Sequence, residues 1–196
     1  MSLSKSKPVY VPLRADLTGH YHLMIAHAEG GSALRPVIDE LRAHAHGGLG
    51  RTRILIAGSS TEPLFGAGVS ALQVFGATAD LLAECRSLLE RSLMGTRLYV
   101  AGPEQFIGRV LQIALEFNLN QDEIQAEAMG TRARRVHCIH CRATTESITT
   151  NIAQCAGCSR WLLVRDHYSR RFAAYMGVMV DAEAPGERPP IEEIFG

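Results

Sequence analysis

The chain has 196 residues, of which 46% are hydrophobic and 20% are charged, and its formal net charge at pH 7 is zero. That length allows one ordinary domain with a small appendage. No apolar run approaches the roughly 20 residues of a membrane span, and the first residues lack the apolar core of a signal peptide. We therefore expect a reduced, cytoplasmic location and no membrane contact.

Charge is distributed unevenly along the chain. Residues 131–171 carry eight arginines against two acids, Glu146 and Asp166, whereas residues 172–196 carry one arginine against five acids. A basic segment of this kind favours an acidic partner surface or a nucleic acid as its binding partner.

Strands and helices are predicted to alternate after a loosely held lead-in at residues 1–20. Tyr21–His27 has the apolar density of a buried strand. Ser32 can cap the helix that follows, with Pro36 in its first turn. Apolar residues at i, i+3, i+4 and i+7 continue this helix to the glycine pair at 47–48.

Four more strand candidates follow in the same half of the chain. They are Thr52–Ala57, residues 71–75, residues 97–101 and residues 123–127. A second helix is predicted to be capped by Thr78 and to end at Gly95, and a third to carry Pro103 at its first position. Cys85 falls on the apolar side of the second helix, which indicates a packed thiol. Residues 59–70 lack periodicity and read as a loop.

This alternation predicts an α/β domain with a parallel sheet covered by helices on both faces. Ligands of such sheets bind beyond the carboxyl ends of the strands. Residues 30–32, 58–60 and 102–103 lie there. The candidate cofactor-binding residues are Gly30, Gly31, Ser32, Gly102 and Pro103. Of these, Gly30, Gly31 and Ser32 could present backbone N–H groups to a pyrophosphate at a helix N-terminus.

Four of the five cysteines form two Cys-x-x-Cys pairs, Cys138 with Cys141 and Cys155 with Cys158, separated by thirteen residues. Each pair can form a turn in which both sulfurs converge on one ion, and the spacing is close to that of a zinc ribbon. Disulfides and buried free thiols are the alternatives. Disulfides fit a reduced compartment poorly, and buried thiols have no reason to recur at this spacing.

Four thiolates around one ion leave no open coordination position, so the predicted metal is structural. Zinc is favoured over iron, although an all-thiolate tetrahedral site suits either. His140 could replace a cysteine ligand, but four cysteines already complete the set. For His137 and His140 we therefore favour roles outside the metal's ligand set.

The remainder is expected to be short and partly irregular. Residues 161–164 and 172–180 read as strands, and the end of the chain either docks through Ile191, Ile194 and Phe195 or stays mobile. The predicted organisation is thus a lead-in (1–20), an α/β domain (21–130), a zinc ribbon (131–181) and an acidic proline-rich tail (182–196).

Residues 21–130 resemble the NAD(P)-binding domain of ferredoxin-reductase-type flavoenzymes. The resemblance rests on the Gly30-Gly31 turn and on two segments, residues 98–107 with Gly-Pro inside and residues 122–127. Ala101 stands where that family usually has a cysteine near the nicotinamide. The first turn also departs from Gly-x-Gly-x-Thr-Pro, and no flavin-binding barrel precedes the domain in this sequence.

With the cysteine pairs and residues 165–186 included, the chain as a whole resembles the small DmmA-type subunits of dimethylamine monooxygenase, a haem-dependent oxidative N-demethylase. The resemblance implies an accessory subunit without catalytic residues. Its implied partners are a haem-containing oxygenase subunit and a flavin/iron–sulfur reductase that supplies electrons from NADPH.

Three functions remain open at this point. The first is a non-catalytic subunit whose basic segment docks an acidic partner through arginines that could equally form a solvated face: Arg132, Arg134, Arg135, Arg160, Arg170 and Arg171. The second is an electron-transfer component that binds NAD(P)H or a flavin such as FMN. The third is a nucleic-acid-binding zinc-ribbon protein.

Overall fold

The computed structural model describes residues 7–44, 49–58 and 71–196. The chain divides into two compact units, and we describe each by itself: Tyr10–Gly130 forms one, and Thr131–Gly196 with residues 7–9 belongs to the other. The loop predicted at residues 59–70 and the glycine pair at 47–48 lie outside the described residues.

The first unit contains a five-stranded sheet in which every neighbouring pair of strands is parallel. The order is β3-β2-β1-β4-β5, so the topology switches direction between β1 and β4. The strands are β1 (Tyr21–His27), β2 (Thr52–Ala57), β3 (Leu72–Phe75), β4 (Thr96–Gly102) and β5 (Ile124–Ala128).

Helices cover both faces of this sheet, as predicted. They are α1 (Gly31–His44), α2 (Thr78–Glu90) and α3 (Glu104–Glu116). The apolar side of α1 packs against one face of the sheet, around Met24 and Ile54. Both α2 and α3 pack against the other face, around Ile25 and Leu55, and Cys85 is fully buried there. The predicted parallel α/β arrangement is confirmed.

The helix starts differ from the predicted caps. A 3-10 turn at Ala28–Gly30 precedes α1, so the helix begins at Gly31 and Ser32 lies within its first turn. The Ser32 hydroxyl donates to the carbonyl of Glu29 at 2.9 Å instead of accepting from a helix N–H. Pro103 is the N-cap residue of α3 and not its first helical residue.

The second unit is a five-stranded β structure in the order β7-β6-β10-β9-β8. Its strands are β6 (Arg134–Cys138), β7 (Thr144–Ile148), β8 (Ile152–Gln154), β9 (Trp161–Ser169) and β10 (Ala174–Met179). β6 and β10 are parallel, and the other pairs are antiparallel. β9 continues to Ser169, beyond the predicted end at residue 164.

The end of the chain docks on this second unit. The N–H groups of Ile194 and Phe195 donate to the carbonyl of Thr149 at 2.9 and 2.7 Å. Phe195 packs on the apolar cluster of the unit, whereas Ile191 and Ile194 are 53% and 50% exposed. Docking therefore uses the backbone and one of the three predicted apolar side chains. None of the helices in the described ranges is long and apolar enough to cross a membrane.

Candidate metal centre

Two turns of the same backbone form carry the cysteine pairs. In the first turn the N–H of Cys138 donates to the carbonyl of Ala143, and the N–H of Arg142 donates to the carbonyl of Cys138, both at 2.9 Å. The second turn has the same two bonds: the N–H of Cys155 donates to the carbonyl of Arg160, and the N–H of Ser159 donates to the carbonyl of Cys155, both at 2.9 Å. The residue directly after each second cysteine is left-handed, with φ of 63° at Arg142 and 57° at Ser159.

The two turns bring four sulfurs together. The sulfur atoms of Cys138, Cys141, Cys155 and Cys158 all lie within 4.8 Å of one another. The Sγ atoms of Cys138 and Cys158 are 3.8 Å apart, and those of Cys141 and Cys155 are 3.5 Å apart. These separations are far longer than a disulfide bond of about 2 Å. They are close to the spacing of about 3.8 Å expected for four sulfurs arranged tetrahedrally around zinc.

Backbone N–H groups donate to the sulfurs of the second turn and favour their thiolate form. The N–H of Gly157 donates to the sulfur of Cys155 at 3.4 Å. A backbone hydrogen bond from Arg160 is the main reason that the pKa of Cys158 falls to about 6. At Cys141 the N–H of Ala143 also donates to the sulfur, but desolvation and the three neighbouring sulfurs raise the pKa to about 11. A cation among the four sulfurs would favour the thiolate form of all of them, so the cluster fits a metal site.

The site has a buried side and an exposed side. Cys138 and Cys155 are buried, whereas Cys141 is exposed. His140 is exposed, and it is not part of the four-sulfur cluster. His137 is buried, and its ring stacks on Phe172 at a centroid distance of 4.1 Å. Burial lowers the pKa of His137, so the neutral ring is favoured in this stack.

Two of the six arginines considered for docking are instead used inside this unit. Arg135 donates through Nε to both carboxylate oxygens of Glu146, at 3.0 and 3.1 Å. Arg134 is 8% exposed and donates to Asp166 at 3.0 Å. Arg132, Arg160 and Arg170 are exposed.

Arg134 is also held between two aromatic rings. Its guanidinium carbon lies 3.8 Å from the centroid of Tyr175 and 3.6 Å from that of Phe195. Such contacts are favourable for a desolvated cation. The sequence predicted none of this, because Phe195 is 61 positions away from Arg134 and no local pattern links them.

The predicted nucleotide site includes two glycines that pack closely against neighbouring backbone. Gly30 and Gly102 lie together at the switch between β1 and β4. A Cβ on Gly30 would lie 2.3 Å from the carbonyl oxygen of Ala101, and a Cβ on Gly102 would lie 3.1 Å from that of His27. Close packing between the ends of β1 and β4 thus already accounts for both glycines.

The helix N-terminus at this switch point is partly occupied by the protein itself. The N–H of Gly31 bonds to the carbonyls of Ala28 and Glu29. Glu29 is exposed beside it, and its carboxylate lies close to Gly130. Ser32 is exposed, and Pro103 has no N–H to donate. A pyrophosphate at this place would therefore face the nearby carboxylate of Glu29.

The fold and the sulfur cluster together define the class of the protein. A parallel α/β unit is followed by a small β unit that presents four converging cysteines. The chain belongs to the dimethylamine monooxygenase subunit DmmA-like family. The N-terminal domain model of that family matches residues 2–124, and its C-terminal domain model matches residues 135–178.

The chain is also similar to a curated relative, the delta subunit of heme-dependent oxidative N-demethylase from Ectopseudomonas mendocina (strain ymp). The two are 33% identical over 115 residues, which cover 59% of this chain and 66% of the relative. The match therefore spans just under two thirds of that subunit.

Solved structures overlap with part of the chain. The ferredoxin reductase of carbazole 1,9a-dioxygenase is 16% identical with a TM-score of 0.45, covering 59% of this chain and 34% of that one. A siderophore-interacting protein from Acinetobacter baumannii is 15% identical with a TM-score of 0.45, covering 64% of this chain and 52% of that one.

Proposed function

We propose that the chain is an accessory, non-catalytic subunit of a multicomponent oxidative N-demethylase that acts on dimethylamine. One observation carries the proposal: both domain models of the DmmA-like family match the chain, in order. The similarity to a delta subunit of an N-demethylase supports it. A haem-containing oxygenase subunit and a flavin/iron–sulfur reductase are the proposed partners.

In this proposal the four-cysteine cluster holds one structural zinc ion. The ligands are Cys138, Cys141, Cys155 and Cys158, and their convergence within 4.8 Å supports that assignment. The apolar cluster of the second unit is small, so a metal that cross-links two turns replaces core that the segment lacks. A site closed by four thiolates provides no position for a substrate.

The α/β unit then serves as a scaffold and not as a nucleotide-binding domain. The contacts of Gly30 and Gly102 with neighbouring backbone support this role. The alternative, a component that binds NAD(P)H or FMN, is favoured by the location of these glycines at the switch point. Calorimetric titration with NADPH and with FMN distinguishes the two roles: we expect no saturable heat, and a saturable isotherm would favour the alternative.

Reconstituted turnover tests the proposed function. The haem-containing and flavin/iron–sulfur components are supplied with NADPH and dimethylamine, and formaldehyde release is measured with and without this chain. We expect turnover to depend on the chain and to return when it is added back, and the chain alone to oxidise no NADPH. Equal turnover without the chain would contradict the proposal.

A further inference from the structure

Eight of the arginines of the α/β unit fall into two groups. Residues 10–130 contain nine arginines and thirteen acidic residues. Five of the arginines form ion pairs with carboxylates, namely Arg14, Arg35, Arg42, Arg86 and Arg97. Arg51, Arg53 and Arg91 have no carboxylate partner in the part of the chain that the structure describes. Because the unit has more acidic residues than arginines, three arginines without a carboxylate partner are unexpected.

All three line one cavity of about 280 Å³. It lies where β1 and β2 begin and α2 ends, at the opposite edge of the sheet from the predicted nucleotide site. Tyr21, Leu88 and Leu93 supply apolar lining. The guanidinium of Arg51 lies 5.4 Å from the ring centroid of Tyr21. No acidic side chain is among the described residues that line this cavity.

The cavity is not built like a phosphate site. Two backbone N–H groups at this edge already have acceptors: that of His22 donates to the carbonyl of Arg51 at 3.1 Å, and that of Thr96 donates to the carbonyl of Leu93 at 3.2 Å. The end of α2 presents carbonyl groups and the negative end of the helix dipole. The three guanidinium groups, and not a helix N-terminus, are therefore the main groups here that could hold an anion.

The residues around the cavity instead suit a peptide that carries both acidic and apolar side chains. Leu93 is 59% exposed and Met94 next to it is 96% exposed. The Arg91 guanidinium donates to the carbonyl and hydroxyl of Ser87, both at 3.0 Å, which orients its remaining N–H groups. Arginine, methionine and aromatic residues are enriched in the cores of protein interfaces.

We propose that this cavity, with the 93–94 turn beside it, is a docking site for an acidic segment of a partner protein. Partner carboxylates would pair with Arg51, Arg53 and Arg91, and an apolar partner side chain would enter between Tyr21 and Leu88. Arginine suits this role because its planar fork binds carboxylates in a bidentate manner. That the partner is another subunit of the demethylase rests on the function proposed above.

A defined probe tests the site without any other subunit. The full-length ¹⁵N-labelled protein is titrated with the synthetic hexapeptide Asp-Glu-Leu-Phe-Glu-Asp, and amide shifts are followed by NMR. We expect saturable shifts at the starts of β1 and β2 and at residues 91–96, weakened by salt. The double variant R51E/R91E should lose them. The variant R132E/R170E, with the same charge change on the second unit, should keep them.

Several results would overturn the inference. Absence of saturable shifts, shifts on another surface, or unchanged binding by R51E/R91E would each do so. Equal saturation by inorganic phosphate would show an anion site that does not need the apolar lining. Circular dichroism of both variants checks that the fold is retained.

Reconstituted turnover then identifies the partner. If the partner is a demethylase subunit, R51E/R91E should lower turnover at limiting chain concentration, and R132E/R170E should not. Turnover that needs the chain but is lowered only by R132E/R170E would place docking on the second unit and contradict the proposed partner. Turnover that does not need the chain would contradict the proposed function, while the peptide titration still decides whether the cavity is a docking site.

Discussion

Gly157 lies between the two cysteines of the second turn and faces the first turn. A Cβ at this position would lie 2.6 Å from the Cβ of Ala143 and 3.0 Å from the sulfur of Cys141. Gly157→Ala must therefore displace the sulfur of Cys141, a proposed zinc ligand, and we expect a clear loss of zinc affinity in competition with a chromophoric chelator. The neighbouring exposed residue provides the control, Ala156→Ser, which should bind like the parent. Parental affinity of the Gly157→Ala protein would show that the two turns are not packed in this way.

His22 gives the α/β unit a dependence on pH. His22 is 5% exposed, and its Nδ1 lies 3.2 Å from the hydroxyl of Tyr99. Burial lowers the pKa of His22 below its usual value of 6.5. At a pH between the lowered pKa of His22 in the folded chain and its pKa of 6.5 in the unfolded chain, the unfolded chain binds more protons. The contribution of neutral His22 to stability is therefore full above pH 6.5 and is lost as the pH falls from 6.5 through the folded-state pKa.

We expect the unfolding free energy of the α/β unit to decrease as the pH is lowered from about 8 to about 5.5. The helical circular dichroism signal reports on this unit, because the α-helices of the described residues lie within it. His22→Phe should flatten the slope, and His27, whose pKa burial also lowers, should retain part of it. If unfolding free energy depended on pH as steeply in His22→Phe as in the parent, His22 would be excluded as a source of the pH dependence.

Among the structural elements, each of the two cysteine turns contains one left-handed residue that is not glycine. The φ of Ser159 is 57°, a conformation that costs a residue with a Cβ about 1 kcal/mol or more. Ser159→Gly should stabilise the second unit by roughly 0.5–1 kcal/mol. Trp161 fluorescence during denaturant unfolding can measure the change. Ser159→Ala, which keeps the Cβ, should not stabilise, and equal stabilities of the two variants would contradict the argument.

The docked end of the chain is the second element with a testable contribution. Phe195 covers one face of the Arg134 guanidinium, at 3.6 Å. Phe195→Ala removes this contact and part of the apolar cluster, and we expect a loss of about 1–2 kcal/mol. Ile191→Ala is the control, since Ile191 is 53% exposed. Similar unfolding midpoints for both variants would show that the side chain of Phe195 contributes no stability.

For the molecule as a whole, short-range sequence patterns predicted the parallel sheet and the convergence of the cysteine sulfurs. Alternating apolar strands and amphipathic helices predicted the parallel sheet, because the periodicity of each segment is a local property. The spacing of the cysteine pairs predicted that their sulfurs could converge, and the structure brings Cys138 and Cys155 into one cluster.

Contacts between distant residues could not be predicted in this way. Arg134 and Arg135 looked like docking residues because charge in a sequence does not reveal a partner such as Asp166 or Glu146. The parallel pairing of β6 with β10 joins residues about 40 positions apart. The cavity lined by Arg51 and Arg91 likewise forms only when β2 and the end of α2 come together.

In the proposed function this chain contributes a metal-stabilised scaffold, and not a redox cofactor, to its assembly. Metal and chromophore analysis of the protein purified under reducing conditions tests this role. We expect one zinc ion per chain, no visible absorption and no released flavin or nicotinamide. Stoichiometric iron with visible absorption, or a flavin that co-purifies with the chain, would contradict it and make the protein an electron carrier.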